Sequence, residues 1–262
     1  MTAIEALLAA LSGGVVGIVL GLVGGGGSIL AVPLLVYLVG VTNPHVAIGT
    51  SALSVAASAA SALIGHCRAG TVKWRCALMF AAAGSIGAIG GSSLGKAIDG
   101  QRMLSLFAIL MIVVGVSMLR DRGDPGNPDV VCTRTNAPRV VGFGLGSGAF
   151  SGFFGIGGGF LIVPGLVAAT GMPMLNAIGS SLVAVTMFGL TTAASYAVSG
   201  LIDWPLAAVF VGGGIVGSFL GSAASRLLAK NTATLKTMFA VLIFIVAGYM
   251  LWQSGQAFWE EL

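Results

Sequence analysis

The chain has 262 residues, of which 56% are hydrophobic and 8% are charged. A soluble domain carries charge on about a quarter of its residues, so these few charged side chains would not cover a globular surface. The composition therefore excludes a soluble enzyme. The net charge of +4 comes from Lys and Arg near the ends of apolar segments, where topology signals lie, and does not indicate nucleic-acid binding.

Charged side chains are absent from several long stretches. Between Glu5 and His66 the only Asp, Glu, Lys, Arg or His is His45, and between Arg139 and Asp203 there is none. Shorter runs without charge, each close to the roughly 20 apolar residues of a spanning helix, lie at 76–95, 103–119, 204–225 and 237–259. We predict an all-α polytopic membrane protein. Its first apolar segment lacks a basic leader and is expected to stay in the mature chain.

The three cysteines are Cys67, Cys76 and Cys132, and they show neither C-x-x-C spacing nor companion histidines at metal-ligand spacing. An odd number without metal-ligand spacing predicts free thiols rather than a disulfide framework or a zinc site. The sequence also has no Ser-His-Asp set, no H-E-x-x-H motif and no nucleotide-phosphate loop. We therefore predict no catalytic residue, no metal and no cofactor.

The second half of the chain repeats the first. The run GLVGGGGSILAVP at 21–33 returns as GFFGIGGGFLIVP at 152–164, and AIGTS at 47–51 returns as AIGSS at 177–181. Such self-similarity indicates two homologous repeats. We predict a first transmembrane repeat, a solvated cytoplasmic linker rich in Pro and Asp, and a second transmembrane repeat, at 1–119, 120–139 and 140–262.

Each repeat begins with an apolar stretch too long for one span, at 6–44 and 140–175, with glycines near its middle and a proline soon after. We interpret each stretch as a helical hairpin whose two arms meet at a glycine break. Whether the arms span the membrane fully or re-enter stays open. Three further helices are predicted in each repeat, at 46–65, 76–95, 103–119, 177–198, 205–226 and 236–254.

Equivalent loops of the two repeats carry opposite charge. One has Arg68, Lys73 and Arg75, whereas its counterpart has only Asp203. By the positive-inside rule the first loop is cytoplasmic and the second lies outside, so the repeats are predicted to have inverted topology. Parallel four-helix repeats are the competing interpretation.

The glycine clusters are the first candidate for a binding site, because an interrupted helix at bilayer depth persists only in protein or beside a water-filled cavity. The arm after the break would present N–H groups and a positive dipole end to an anion, although glycines also let helices pack closely. The Ser and Thr hydroxyls that follow the glycine clusters either donate a hydrogen bond to an oxyanion or bond to a carbonyl oxygen of their own helix. The Asn side chains between each hairpin and the next helix either cap that helix or contact the ligand. The predicted substrate-binding residues are Gly24, Gly25, Gly26, Gly27, Ser28, Pro33, Asn43, Thr50, Ser51, Gly155, Gly157, Gly158, Gly159, Pro164, Asn176, Ser180 and Ser181.

Two histidines bear on ion coupling. His45 is the better candidate for proton coupling, although the second repeat has Asn176 in its place, and His66 is interpreted as structural because it ends a helix beside Arg68. No Asp or Glu lies within a predicted span, which favours an anion over a cation as substrate. The coupling ion, H⁺ or Na⁺, stays open. Glycine-rich helix faces would pack within one chain or between the chains of a homo-oligomer.

The doubled G-x-x-G-x-G-G-[SG]-x-[LI]-x-x-P signature, the A-x-G-[TS]-S motif after it and the trailing G-x-[VI]-x-W resemble the TauE/SafE family. This family is also called the 4-toluene sulfonate uptake permeases, and the resemblance covers residues 11 to 251. It implies a multi-pass protein of the bacterial inner membrane that moves sulfite, sulfonates or related small anions, often outward. It also implies signature positions at both glycine clusters and at the hydroxyl pairs that follow them.

Together, the sequence and the resemblance predict a secondary transporter in the lipid bilayer that moves a small sulfur-containing anion by alternating access, with export as the expected direction. A channel, or a transporter for another small anion or solute, is the alternative. A membrane accessory protein that acts through the linker is a third hypothesis.

Overall fold

The structure is a computed structural model and describes residues 3–98, 103, 106–113, 116, 127, 130, 132–133, 136–154, 159–228, 244–245, 247–248 and 252. All regular elements within these residues are helical. The long helices are α1 (Ala3–Val23), α2 (Pro44–Arg68), α3 (Trp74–Gly95), α4 (Ala137–Phe154), α5 (Gly159–Thr170), α6 (Met174–Val198) and α7 (Trp204–Leu228).

Five helical segments of the described part are long and apolar enough to cross a membrane. They are Ala3–Leu38, Pro44–Arg68, Trp74–Gly95, Met174–Val198 and Trp204–Ser225. The prediction of an all-α, multi-pass membrane protein is therefore confirmed. Of the helix predicted at 103–119, residues 106–113 are described and helical, whereas the helix predicted at 236–254 lies largely outside the described residues.

An irregular arm at 24–38 follows α1 and folds back along it. Gly24 has a φ of +72°, a conformation that costs other residues about 1–2 kcal/mol. Gly27 then lies against the backbone of Leu20. Pro33 has no amide hydrogen, so a regular hydrogen-bond ladder cannot run through the arm. The arm consists of a 3₁₀ helix (Gly24–Leu30), a short α-helical piece (Ala31–Pro33) and a π-helical turn (Leu34–Leu38).

The first helix of each half packs along a helix of the other half. α1 packs along α7, and α4 packs along α3. The contacts of α1 with α7 advance in the same chain direction on both helices, from Gly13 beside Phe210 to Gly21 beside Ser222. The two helices of this pair are therefore parallel, and the contacts of α3 with α4 show the same direction.

These two helix pairs approach closely enough to exclude side chains at matching positions. A Cβ atom on Gly17 would collide with the carbonyl oxygen of Gly214, and a Cβ atom on Gly148 would collide with that of Gly84. Small residues at such contacts are usual in membranes, where packing rather than water exclusion holds helices together. Gly17 corresponds to Gly148 in the repeated sequence, and Gly84 corresponds to Gly214, so the same contact occurs twice.

The helices α2 and α6 pack against each other and run antiparallel. Gly49, near the start of α2, lies against the carbonyl oxygen of Leu201, which follows the end of α6. Gly179, near the start of α6, lies against Thr71, which follows the end of α2. Because α2 and α6 occupy corresponding positions in the repeated sequence, these corresponding helices point in opposite directions.

The linker contacts the helical bundle at two described points. Asn127 donates its backbone N–H to the carbonyl oxygen of Gly171 at 2.9 Å, and Cys132 is buried and forms a disulfide with Cys76 at the start of α3. The expectation of free thiols is therefore wrong for this pair, whereas Cys67 is free. The two paired residues are 56 apart in the sequence, so local spacing gave no sign that their Cα atoms lie 5.3 Å apart.

Candidate functional site

The glycine segment, residues 24–28, is buried beside α1, α5 and α6. Gly25 donates its backbone N–H to Ser181 Oγ at 3.2 Å, and Ser181 Oγ donates to the carbonyl oxygen of Ile178 at 2.7 Å. Gly24 is pressed against the same part of α6, since a Cβ atom there would lie 2.7 Å from Ser181 Oγ. The structure therefore brings the first glycine cluster together with Ser181.

Ser28 and Pro33 lie further along the arm and are buried. The Ser28 hydroxyl donates to the carbonyl oxygen of Gly25 at 2.9 Å, within the same 3₁₀ helix. This bond holds the turn in which Gly25 presents its N–H to α6. Ser28 thus supports the shape of the glycine segment, and Pro33 belongs to the irregular part of the arm that follows.

The start of α6 is tied to the loop between α2 and α3, residues 69–73, which we call loop A. Ser180 Oγ accepts a hydrogen bond from the backbone N–H of Lys73 at 2.9 Å. Asn176 Nδ2 donates to the carbonyl oxygen of Thr71 at 3.0 Å. Asn176 and Ser180 therefore lie at the same end of the bundle as Ser181 and the glycine segment.

The start of α2 is tied in the same way to the loop between α6 and α7, residues 199–203, which we call loop B. Thr50 Oγ1 accepts a hydrogen bond from the backbone N–H of Asp203 at 3.1 Å. Ser51 Oγ donates to the carbonyl oxygen of Ile48 at 2.9 Å. Asn43 Oδ1 accepts from the backbone N–H of His45 at 2.9 Å, so Asn43 caps α2.

The two loop contacts occupy corresponding positions of the repeats, because Ser180 corresponds to Thr50 and Lys73 corresponds to Asp203. Since α2 and α6 are antiparallel, the contacts lie at opposite ends of this helix pair, roughly 25 Å apart for about 17 residues at 1.5 Å each. The structure thus divides the predicted hydroxyls between two places. Both pairs of hydroxyls are fully buried.

Thr50 and Ser180 share a chemical property that suits an anion. Each oxygen accepts one amide hydrogen bond, and neither hydroxyl hydrogen has an acceptor among the residues that the structure describes. A hydroxyl carries one donor and two acceptor sites, so one donor remains for a ligand at each end. These donors carry no fixed charge, so an anion bound there would be held weakly enough to leave.

Part of the predicted site belongs to the second hairpin. Gly155, Gly157 and Gly158 lie outside the described residues. Gly159 is the first residue of α5, and Pro164 lies inside that helix. Because α5 packs against residues 24–30 and against α6, the second arm lies beside the first glycine segment.

The two histidines lie at opposite ends of α2. His45 is in the first turn, and its buried Nδ1 atom has no hydrogen-bond partner in the described part of the chain. His66 is in the last turn and is buried, with Nδ1 3.1 Å from Thr71 Oγ1 and Nε2 3.3 Å from the carbonyl oxygen of Gly21. Sequence reasoning missed Thr71 altogether, because it corresponds to Leu201 and so belongs to no repeated motif.

Comparison with known proteins agrees with this architecture. The family model described as Sulfite exporter TauE/SafE matches residues 9–250. A probable membrane transporter protein of Xylella fastidiosa (strain 9a5c) is 51% identical over 249 residues, which cover 93% of this chain and 94% of that protein. A probable membrane transporter protein of Haemophilus influenzae is 30% identical over 92% of this chain and 96% of its own length.

A more distant relative is the probable membrane transporter protein YunE of Bacillus subtilis (strain 168), which is 27% identical over 92% of this chain and 95% of its own length. No solved structure matches the chain. The family description and the names of the relatives indicate a transporter rather than an enzyme. With its spanning helices and a family match over nearly its whole length, this chain belongs to the TauE/SafE family of membrane transporters.

Proposed function

We propose that this protein is a secondary transporter that exports a small sulfur-containing anion, such as sulfite or a sulfonate, across the bacterial inner membrane. The description of its family as a sulfite exporter supports the substrate class. The absence of Asp and Glu from residues 6–65 and 140–202 supports an anionic rather than a cationic substrate. The uncharged donors of Thr50 and Ser180 are compatible with a ligand that must be released as well as bound.

The two halves are inverted repeats in this proposal. The antiparallel packing of α2 and α6 supports it, as does the recurrence of the Gly17–Gly214 contact as Gly148–Gly84. A pseudo-twofold axis in the membrane plane relates halves of this kind. By the positive-inside rule, loop A with its neighbouring Arg and Lys residues then faces the cytoplasm, and loop B faces the outside.

The observation that carries the proposed mechanism is the matching pair of bonds from Lys73 N–H to Ser180 and from Asp203 N–H to Thr50. In this proposal, the conformation with both bonds formed and both hydroxyls buried is the one closed to both sides. Breaking one bond opens one end while the other end stays closed. Inverted repeats allow this alternation, because the two halves exchange their conformations between the inward-open and outward-open states.

The anion binds beside the glycine segment in this mechanism. The N–H of Gly25 now donates to Ser181 Oγ, and that hydroxyl donates to Ile178. An anionic oxygen would accept from Gly25 and from the Ser181 hydroxyl together, and these two bonds would replace the two internal hydrogen bonds that the same donors now make. By the symmetry of the repeats, the second glycine cluster with Thr50 and Ser51 supplies the counterpart.

Counterflow of labelled sulfite in proteoliposomes tests this function. Unlabelled sulfite inside the vesicles is expected to accelerate the entry of labelled sulfite, with an unlabelled sulfonate as competitor and sulfate as comparison. Ser181→Ala removes one donor to a charged ligand and is expected to lower kcat/KM about tenfold or more. Ser61→Ala is the matched control, because the Ser61 hydroxyl bonds only within its own helix, to Ala57.

A channel with the same lining would pass labelled sulfite without acceleration by internal sulfite, and that result would contradict alternating access. Flux of another anion with no flux of sulfite would contradict the substrate class while retaining the mechanism. Equal rates of sulfite counterflow in Ser181→Ala and Ser61→Ala would show that the glycine segment is not part of the binding site.

A further inference from the structure

His66 is a buried imidazole with a neighbour at each ring nitrogen. Its side chain is 3% exposed. Nε2 lies 3.3 Å from the carbonyl oxygen of Gly21 in the last turn of α1, and Nδ1 lies 3.1 Å from Thr71 Oγ1 in loop A. A carbonyl oxygen only accepts hydrogen bonds, so Nε2 carries a hydrogen and donates it to Gly21. Nδ1 is therefore the atom at which this ring gains or loses a proton.

The Thr71 hydroxyl fits both protonation states of the ring. It lies 3.1 Å from the carbonyl oxygen of His66 as well as 3.1 Å from Nδ1. When the ring is neutral, the hydroxyl donates to Nδ1. When Nδ1 binds a proton, the hydroxyl hydrogen rotates to the His66 carbonyl oxygen, and Thr71 Oγ1 accepts from Nδ1–H. Neither state leaves this buried contact unsatisfied, so proton binding requires only the rotation of one hydroxyl.

The hydrogen bonds of the His66 ring connect it to the proposed binding site. Gly21 precedes the glycine segment by one helical turn. On the other side, the carbonyl oxygen of Thr71 accepts from Asn176 Nδ2, and a Cβ atom on Gly179 would lie 2.6 Å from Thr71 Oγ1. His66 thus touches α1 just before the glycine turn and, through Thr71, the start of α6.

The second repeat lacks this arrangement. Tyr196 occupies the position that corresponds to His66 near the end of α6, and it is also buried. The Tyr196 hydroxyl has no hydrogen-bond partner among the described residues. An imidazole changes its charge between about pH 5 and 8, whereas an ordinary phenol does not. The corresponding positions near the ends of α2 and α6 therefore carry an imidazole in the first half and a phenol in the second.

In the described part of the chain, the titratable residues closest to His66 in sequence are one thiol and two basic side chains. The last turn of α1 and the first two turns of α6 carry no titratable side chain. Cys67 and Arg68 follow His66 on α2, Lys73 lies in loop A, and Arg75 and Arg226 come in the sequence at the start of α3 and near the end of α7. A charged imidazole and an anion in the glycine segment attract each other. Binding of the anion and binding of a proton then favour each other by the same factor.

We propose that His66 is the proton-binding residue of this transporter, and that it couples the movement of one proton to the movement of one anion. This inference rests on the proposed function. The proton comes from water at loop A and binds Nδ1, while the anion binds at the adjacent glycine segment. After the two halves have exchanged conformations, Nδ1 returns the proton to water on the side where the anion leaves. His45, the candidate from the sequence, lies at the other end of α2 and serves as the matched control.

Spectroscopy tests the protonation of His66 without reference to transport. The chain has two histidines, so His45→Gln leaves His66 as the only imidazole. Nitrogen-15 NMR of this variant, labelled at histidine and free of any tag, is expected to show Nδ1 gaining a proton as the pH falls from about 8 to about 5. A ring that keeps one protonation state over this range would overturn the proposal.

Sulfite uptake under an imposed pH gradient tests the coupling. For one proton per anion, the accumulation ratio of the parent protein changes about tenfold per pH unit. The amide of His66→Gln can donate to Gly21 and accept from Thr71 but binds no proton, so counterflow is expected to persist while the gradient response disappears. His45→Gln is expected to keep the response. The parent protein and all variants are measured under the same pH gradient, so the protonation of sulfite in solution affects all of them equally.

The outcomes separate the coupling role from the function. An undiminished gradient response in His66→Gln, with normal flux in the parent, would overturn the coupling role alone. Loss of the response in His45→Gln instead of His66→Gln would also overturn it. Absence of sulfite flux in the parent protein would overturn the proposed function, and the NMR titration would still decide whether His66 binds a proton.

Discussion

Thr50 and Ser180 each hold a facing loop through its backbone. Their oxygens accept from the amides of Asp203 and Lys73, and both side chains are fully buried. Alanine at either position would remove the acceptor of a part-buried amide, and the loss of such a hydrogen bond costs about 0.5–1.5 kcal/mol. In the proposed transporter, one hydroxyl therefore both closes its end of the protein and offers a donor to the anion.

Ser180→Ala and Thr50→Ala are expected to loosen opposite ends of the molecule. Ser180→Ala should accelerate amide hydrogen exchange around Lys73 about two- to 13-fold, which is the equivalent of about 0.5–1.5 kcal/mol. Thr50→Ala should do the same around Asp203. Mass spectrometry of peptides from loop A and loop B measures the hydrogen-exchange rate at each end of the molecule. Sulfite flux should fall in both variants.

Each of these variants is the control for the other. The loop that keeps its hydroxyl partner should exchange at the rate of the parent protein. Equal acceleration at both loops in each variant would indicate general destabilisation and would contradict separate closure of the two ends. Unchanged flux in both variants would remove these hydroxyls from the mechanism.

Individual contacts were predictable only where both partners are close in sequence. Asn43 was expected to cap a helix or contact the ligand, and its amide oxygen does accept from the N–H of His45 two residues later. Ser180 bonds to a loop 107 residues away, and Asn176 bonds to Thr71 across 105 residues. These long-range partners depend on how the helices pack, which the sequence pattern of one helix does not contain.

At the scale of elements, the first hairpin depends on the turn at Gly24. This residue has a positive φ, and the space where a side chain would begin is taken by Ser181 Oγ and the carbonyl oxygen of Ile178. Gly40, after the end of the arm, also has a positive φ, but no atom lies within 4 Å of its Cβ position. Replacing either glycine with alanine therefore strains the backbone to the same extent, but only the replacement of Gly24 also creates a steric clash.

Gly24→Ala is expected to destabilise the protein more than Gly40→Ala. A left-handed alanine lowers the free energy of unfolding of both variants by about 1–2 kcal/mol. In Gly24→Ala, overpacking lowers it by about 1–3 kcal/mol more. The thermal midpoint in detergent should therefore fall further for Gly24→Ala, by about 2–10 °C. Equal midpoints for the two variants would show that the close packing of Gly24 against α6 contributes nothing to stability.

Most helices were predictable as elements, because apolar length and turn residues are local signals. The helix predicted at 46–65 is α2, Pro44–Arg68, whose earlier start follows from Pro44 in the first turn and the cap at Asn43. The glycine break was predicted from Gly24 to Gly27 and Pro33. The sequence did not reveal the mixed 3₁₀ and π-helical path of the arm, since that path depends on packing against α1, α5 and α6.

At the scale of the whole molecule, the first long helix of each half packs along a helix of the other half, so the two halves do not lie side by side as separate bundles. α1 packs along α7 and α4 along α3, so each half completes its packing with a helix from the other. The duplicated sequence predicted two related halves but not this packing between them, because a repeat reveals which segments are alike and not which segments touch. The contacts between α1 and α7 and between α3 and α4 therefore link the two halves along the length of these helices.

The linker gives a second view of how the molecule lies in the membrane. The positive-inside rule places Arg68, Lys73 and Arg75 in the cytoplasm, and Cys76 at the start of α3 lies at this same end. Its partner Cys132 is in the linker. Disulfides are rare in the reducing cytosol. The Cys76–Cys132 disulfide and the positive-inside rule therefore indicate opposite sides of the membrane for this end of the molecule.

Labelling of single cysteines in a variant whose three native cysteines are Ser tests this orientation. Asn127→Cys places a thiol on the exposed linker, and Val198→Cys places one at the exposed end of α6, beside loop B. In intact cells, a membrane-impermeant maleimide is expected to label Val198→Cys and to spare Asn127→Cys until the cells are lysed. The opposite pattern would place the linker outside. There the Cys76–Cys132 disulfide would be stable, and loop A would face the outside.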